Sequence, residues 1–461
     1  MKKHLLCMVF LAAAASLAFA GDAPKTVYTH YHNWTMQPGT VKDAAAADNV
    51  RHQDDLTTPM HGPWLLNPAQ DFVTINWITR RPCAGGIQYR EKGTEEFKTV
   101  WEVKYGTIDF SKDLHTIHLK NLKPGTEYEY RLLSALDRYQ TPYSTAHYVG
   151  REINSFKTLD PKKNNYKVFL TADFHGVARL CLDPMYENSN AKEADFFLFL
   201  GDNVEDSMGD ARYYTTFGFL DDAGRLWGKN KPSVYIRGNH DLAGKEMYQF
   251  GDYFPHPSGE TYQAFRQGPV LFICLDTMWR PGKDIQSEQM KAYFNQQVEW
   301  LKELKKTKEW KTATFRVVLA HVALYCSEGA YLQPFFGEVL NDTTPEGRIH
   351  AYLAGHEHLY YRINGSEKAI RVGSEINANN PKPYNAYMTR YDIPDAKTFN
   401  QIVLHQPEAM ILEVTPQKLI FKSYAWSKVT GGLYDAFEIM PDATVKDLIP
   451  VHVFPKPEKK K

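Results

Sequence analysis

The stretch Ser233–Asp241, SVYIRGNHD, decides how this chain is read: an apolar run stops on a glycine, and an amide, an imidazole and a carboxylate follow in succession. Four other stretches share the design: KVFLTAD, which runs on to Phe174 and His175; FFLFLGD, ending at Asp202; RVVLAH, ending at His321; and AYLAGHEH, ending at His358. Continuous apolar runs bounded by polar residues predict strands buried on both faces, as in α/β proteins. Ligands of such sheets collect in the crevice beyond the carboxyl ends of the strands. The potential ligands therefore fall where this architecture does its chemistry. A single histidine at a strand end is usually structural, and an aspartate after glycine is usually a turn; it is the set, in one order, that points to a metal site.

Asp173 and His175 are two residues apart, as are His356 and His358. In extended backbone such pairs face one side, which turns Phe174 and Glu357 away. Carboxylate and imidazole donors suit divalent transition metals rather than calcium, which prefers oxygen throughout. Asp202, at the end of its own run, is placed to lend one oxygen to each of two ions about 3.5–4 Å apart. Asn239 offers a neutral carbonyl oxygen, and His240, the next residue, projects differently and is free to act on substrate.

The chain has 461 residues, which makes two domains the default expectation. Lys+Arg and Asp+Glu are equal at 54 each, so no global field recruits nucleic acid or an anionic membrane. Residues 1–20 read as a secretory signal: Lys2 and Lys3, an apolar stretch, then Ala18-Phe19-Ala20 as the cleavage site. The stretch is short for a membrane anchor, and no later segment is long and apolar enough to span a bilayer. An exported protein, periplasmic or secreted, is expected. After cleavage Cys83, Cys181, Cys274 and Cys326 remain, too few for a disulfide framework; Cys274 and Cys326 read as buried thiols. Nothing in the sequence signals an oligomeric state.

Residues 21–60 read as a polar leader, either lying along the surface or disordered. From 61 to 160 the period is two. Val73, Ile75 and Trp77 share one face, with Thr74 and Asn76 opposite; Tyr128, Tyr130 and Leu132 alternate with Glu127, Glu129 and Arg131. Turns are expected at Gly85-Gly86 and Pro124-Gly125. This pattern predicts a β-sandwich, immunoglobulin-like or of another topology. From 161 to 445 strands alternate with helical stretches. An apolar stripe of Phe294, Val298, Leu301 and Leu304 marks a helix over 287–306, and 409–414 with 418–422 reads as a hairpin. Residues 446–461 form a basic tail.

The five motifs resemble those of the calcineurin-like metallophosphoesterases: Asp-x-His, Gly-Asp, Gly-Asn-His-Asp, His and Gly-His-x-His. Leu122–Tyr128 resembles the fibronectin type III turn before a buried tyrosine, and with it the layout resembles that of purple acid phosphatases. The resemblance implies an α/β catalytic domain, a four-layer sandwich of two mixed sheets flanked by helices, preceded by an all-β module. It also implies two divalent transition-metal ions (Mn, Zn or Fe). One would be held by Asp173, His175, Asp202 and His358, the other by Asp202, Asn239, His321 and His356. Purple acid phosphatases bind ferric iron through a tyrosine in Gly-Asp-x-x-Tyr and have glycine where His175 stands. Here the tyrosine position is Glu205, so a colourless or faint enzyme is expected.

The activity implied is hydrolysis of a phosphorylated small molecule or ester, with a water activated by both cations as nucleophile. His240 would protonate the leaving oxygen, and Asp241 would hold its ring or raise its pKa. A phosphomonoesterase is the leading expectation. Its rivals are a phosphodiesterase acting on nucleotides or lipid head groups, and a non-catalytic envelope or glycan-binding protein. Asp276 is expected to orient a neighbour; Arg179, Arg212 and Arg237 are candidate phosphate contacts.

Overall fold

In the computed structural model, the first strand among the described residues starts at Pro59. Strands β1 (Pro59–Leu66), β2 (Val73–Glu91), β3 (Lys98–Trp101), β4 (Val103–Lys104), β5 (Thr107–Ile108), β6 (Lys112–Leu119), β7 (Glu127–Ala135), β8 (His147–Val149) and β9 (Asn154–Lys157) form an all-β region. The residues described are 58–136, 147–176, 178–203, 219–243, 247–278, 285–324, 328–342, 344–358, 360–363, 400–404, 408–425 and 432–450. The expected signal, most of the leader, Glu205, Arg212, Cys326 and the tail beyond 450 lie outside them, as does the side chain of Arg179.

β2 is long enough to serve two sheets. Its first half pairs antiparallel with β1 and β6, its second half with β3 and β7. Val73, Ile75, Trp77, Ile87, Ile117, Tyr130 and Phe156 fill the space between. Gly85 and Gly86 are therefore not a turn, contrary to the sequence reading; they lie inside β2. They are glycines because a Cβ would run into the ring of His115 at the first and of Trp101 at the second. Pro124-Gly125 is a turn, and after it the buried Tyr128 hydroxyl accepts the N–H of Lys123 at 2.9 Å, a tyrosine corner. Thr74 and Asn76 do point away from this core, yet neither is exposed. Asn76 Nδ2 donates to the carbonyl of Tyr253 at 3.2 Å, so this face is covered by the next region instead of water.

That region holds two mixed sheets. The first contains β10 (Tyr166–Thr171), β11 (Phe196–Phe199), β12 (Ser233–Tyr235), β19 (Glu408–Val414), β20 (Leu419–Ala425), β21 (Leu433–Ile439) and β22 (Val445–Asp447). Its order is β22-β21-β20-β19-β10-β11-β12, with β10, β11 and β12 parallel. The second contains β13 (Gln263–Gln267), β14 (Val270–Cys274), β15 (Phe315–Leu319), β16 (Ala351–Ala354), β17 (Tyr361–Ile363) and β18 (Asn400–Val403), in the order β13-β14-β15-β16-β18-β17. The inner faces meet through Val168, Leu170, Leu198, Val234, Phe272, Val317 and Leu353. Helix α1 (Ala178–Asn188) covers the outer face of the first sheet with Cys181, Leu182 and Met185 on Phe169 and Phe197. Helix α2 (Ile285–Leu304) covers the second, placing Phe294 and Leu301 against Ile273 and Val318. Apolar residues on both faces of each strand thus yield helix, sheet, sheet, helix.

The all-β region is continuous with the first sheet. β1 lies parallel to β12 at Leu66 and Ser233, and the Asn67 N–H reaches the Ser233 carbonyl at 2.9 Å. Cys83, Cys181 and Cys274 are free and buried. Among the described residues no helix is long and apolar enough to cross a membrane.

Candidate metal centre

Each predicted ligand lies just past the carboxyl end of a parallel strand: Asp173 and His175 after β10, Asp202 after β11, Asn239 after β12, His321 after β15, His356 and His358 after β16. Both sheets contribute, and backbone bonds lace the loops together. The N–H of Asp173 meets the Gly201 carbonyl, that of His175 the Asp202 carbonyl, and that of Gly355 the His321 carbonyl, all at 3.0 Å.

The local conformation is not the extended one expected from the i, i+2 spacing. Asp173 (φ 58°), His175 (φ 47°), Asp202 (φ 53°), His356 (φ 74°) and His358 (φ 55°) are all left-handed. Such backbone costs roughly 1–3 kcal/mol per non-glycine residue and survives only where its surroundings fix it. Here the turns bring paired side chains together. Phe174 does point away, into the outer-face core against Phe219. The glycines of the motifs answer to crowding: a Cβ on Gly201 would overlap the His321 ring, one on Gly238 the carboxylate of Asp202, and one on Gly355 that of Asp173.

The donors converge in three overlapping groups, each with its ligand atoms within 4.8 Å: Asp173, His175 and His358; His175, Asp202 and His240; Asp202, His321 and His356. His175 Nε2 and His358 Nε2 are 3.0 Å apart. Asp202 Oδ2 lies 3.2 Å from His321 Nε2 and 3.9 Å from His175 Nε2, so it stands between the groups. Asn239 Oδ1 lies 3.2 Å from His321 Nε2 and 2.9 Å from His356 Nδ1. His321 Nδ1 donates to the Leu200 carbonyl at 2.6 Å, which leaves Nε2 facing the centre.

Asp173 and Asp202 are almost fully buried. Burial alone would raise both pKa values, but the neighbouring imidazoles hold both below the usual carboxylate range. Burial pushes His175 down to about 4 despite both carboxylates, so the ring is neutral at pH 7. His321 is carried up to about 10, the Asp202 charge outweighing burial. A divalent cation held by His321 would have to displace that proton. The donor set of carboxylates, imidazoles and one amide oxygen fits a pair of divalent ions.

His240 is at the edge, its side chain 24% exposed, with Nε2 4.0 Å from Asp202 Oδ2. Asp241 does not hold that ring. Its Oδ2 accepts the N–H groups of Asp202 (3.0 Å) and Gly238 (2.6 Å), and its Oδ1 accepts the Tyr235 hydroxyl (2.9 Å). Burial, reinforced by the Asp202 charge, pushes it up to about 7. Arg237 Nε donates to Oδ2 of the buried Asp276 at 2.6 Å. Sequence reasoning missed Tyr235 and Asn203. The first had a signal, a lone tyrosine in a short buried strand. The second is buried beside Asp202, and neither of its side-chain polar atoms has a hydrogen-bond partner among the described residues.

Two stacked mixed sheets that deliver carboxylate, amide and imidazole donors from five strand ends to one point define a metal-dependent phosphoester hydrolase. Residues 166–360 match the family model of calcineurin-like phosphoesterases, and the chain carries that domain. Among solved structures it is similar to that of PhoD, with a TM-score of 0.53 and 12% identity over 85% of this chain and 92% of the other. It is similar also to purple acid phosphatase PPD1 from yellow lupin (Lupinus luteus) seeds, with a TM-score of 0.55 and 15% identity over 87% of this chain and 79% of the other. At these identities the likeness is one of fold, and it spans the all-β region as well as the phosphoesterase domain. No curated protein matches the chain.

Proposed function

We propose that the protein is an exported phosphomonoesterase. Asp173, His175, Asp202 and His358 hold one divalent ion, Asp202, Asn239, His321 and His356 hold the other, and His240 is the general acid. The observation that carries the reading is the position of Asp202, buried between donor groups that draw on both sheets. When bound, two such ions supply a water of lowered pKa and offset the charge of the phosphoryl oxygens. The remaining work belongs to the chain. Asp202 fixes the distance between the two donor sets, Asn239 contributes an uncharged oxygen that does not repel the substrate, and His240 delivers a proton to the departing oxygen. Export is supported by the signal-like residues 1–20.

The test is a paired assay on protein purified without chelator, using a chromogenic phosphomonoester and a bis-ester with Mn²⁺ or Zn²⁺, alongside metal analysis. Monoester turnover with close to two ions per chain is expected. Preferential bis-ester turnover would make it a phosphodiesterase, and metal-free, inactive protein would overturn the reading.

A further inference from the structure

We propose that Tyr235 is a positioning residue for the metal centre, holding the two loops that carry Asp202 and Asn239 at a fixed separation; this rests on the reading of Asp202 as the shared ligand. Tyr235 ends β12 and is buried. Its hydroxyl accepts the N–H of Asn203 at 3.2 Å and donates to Asp241 Oδ1 at 2.9 Å. Asp241 in turn accepts the N–H groups of Asp202 and Gly238. One hydroxyl and one carboxylate thereby join the loop after β11 to the loop after β12, through groups outside the three donor clusters. Outer groups of this kind set the orientation of ligands they do not replace.

The ring has its own support. Phe254 stacks on it with centroids 4.0 Å apart, and Phe199 and Phe219 pack alongside. The carbonyls flanking Phe254 are held from the all-β region: Pro255 by Asn67 Nδ2 at 2.7 Å, Tyr253 by Asn76 Nδ2 at 3.2 Å. One route from the all-β region to the centre thus runs through an aromatic contact and a hydroxyl.

The experiment measures Mn²⁺ binding by calorimetry, and the EPR signal of the coupled ion pair, on the full chain with and without Tyr235→Phe. Phenylalanine keeps the stack and removes only the two hydroxyl bonds. The expected result is an unchanged circular dichroism spectrum, Mn²⁺ binding weakened roughly 10- to 100-fold, and a fall in kcat with KM nearly constant. Phe254→Leu, which keeps the hydroxyl and loosens the ring, is expected to weaken binding in the same direction by less, and it serves if Tyr235→Phe fails to fold. Wild-type protein that binds two ions while both variants match it would overturn the positioning role alone. Wild-type protein that binds fewer than two would overturn this role together with the proposed function.

Discussion

Replacing His240 by alanine separates proton delivery from metal binding, because the two depend on different atoms of the same residue. The backbone N–H of His240 donates to Asp202 Oδ1 at 2.8 Å and survives the substitution. The imidazole, with Nε2 4.0 Å from Asp202 Oδ2 and a partly exposed side chain, is lost. Metal content should therefore stay at the wild-type level while kcat falls by roughly 10²–10⁴, the range for general acid catalysis. That is about 3–5 kcal/mol of barrier at 1.36 kcal/mol per decade. The assay is kcat across phosphomonoesters of graded leaving-group pKa. A nitrophenolate leaves without a proton and should lose little; an alkoxide needs one and should lose the full factor. An equal loss for every leaving group, or a parallel loss of metal, would refute the assignment of His240 as the acid.

Asp202→Ala removes the carboxylate between the donor groups, so metal analysis should find less than one ion per chain and turnover should be at background. Gly355→Ala forces a methyl into the Asp173 carboxylate and Ala172, so it should weaken metal binding and cost about 1–3 kcal/mol in denaturant titrations. In the all-β region, burial works to lower the pKa of His115, but its contacts with Cys83 and Glu102 prevail and raise it from 6.5 to about 8. A raised histidine stabilises the fold fully below its unfolded pKa and loses that contribution as pH climbs through the folded value. Unfolding free energy should thus drop by about 2 kcal/mol between pH 6.5 and somewhat above 8, and the drop should vanish in His115→Gln.

The strands, the two-sheet domain and the placing of the candidate donors at strand ends were legible because burial on both faces writes itself as an unbroken apolar run, and polar side chains follow where the run stops. The helix was readable for a similar reason: Phe294 and Leu301 recur at helical spacing and are buried. Glycines were harder. Gly85-Gly86 looked like a turn because a glycine pair gives the same signal whether it bends the chain or makes room for His115 and Trp101. Local sequence also could not reveal the left-handed turns at Asp173, His175, Asp202, His356 and His358, which are held by neighbours far along the chain. Nor could it show that Asp241 serves the backbone of Asp202 rather than the ring beside it. Amino-acid order alone thus specified which side chains can hold metal and which strands carry them, since both follow from chemical type and periodicity. Only the tertiary structure decided how the all-β region joins the catalytic sheet and which hydroxyl ties the ligand loops together, because those contacts link residues such as Leu66 and Ser233 whose pairing no local pattern encodes.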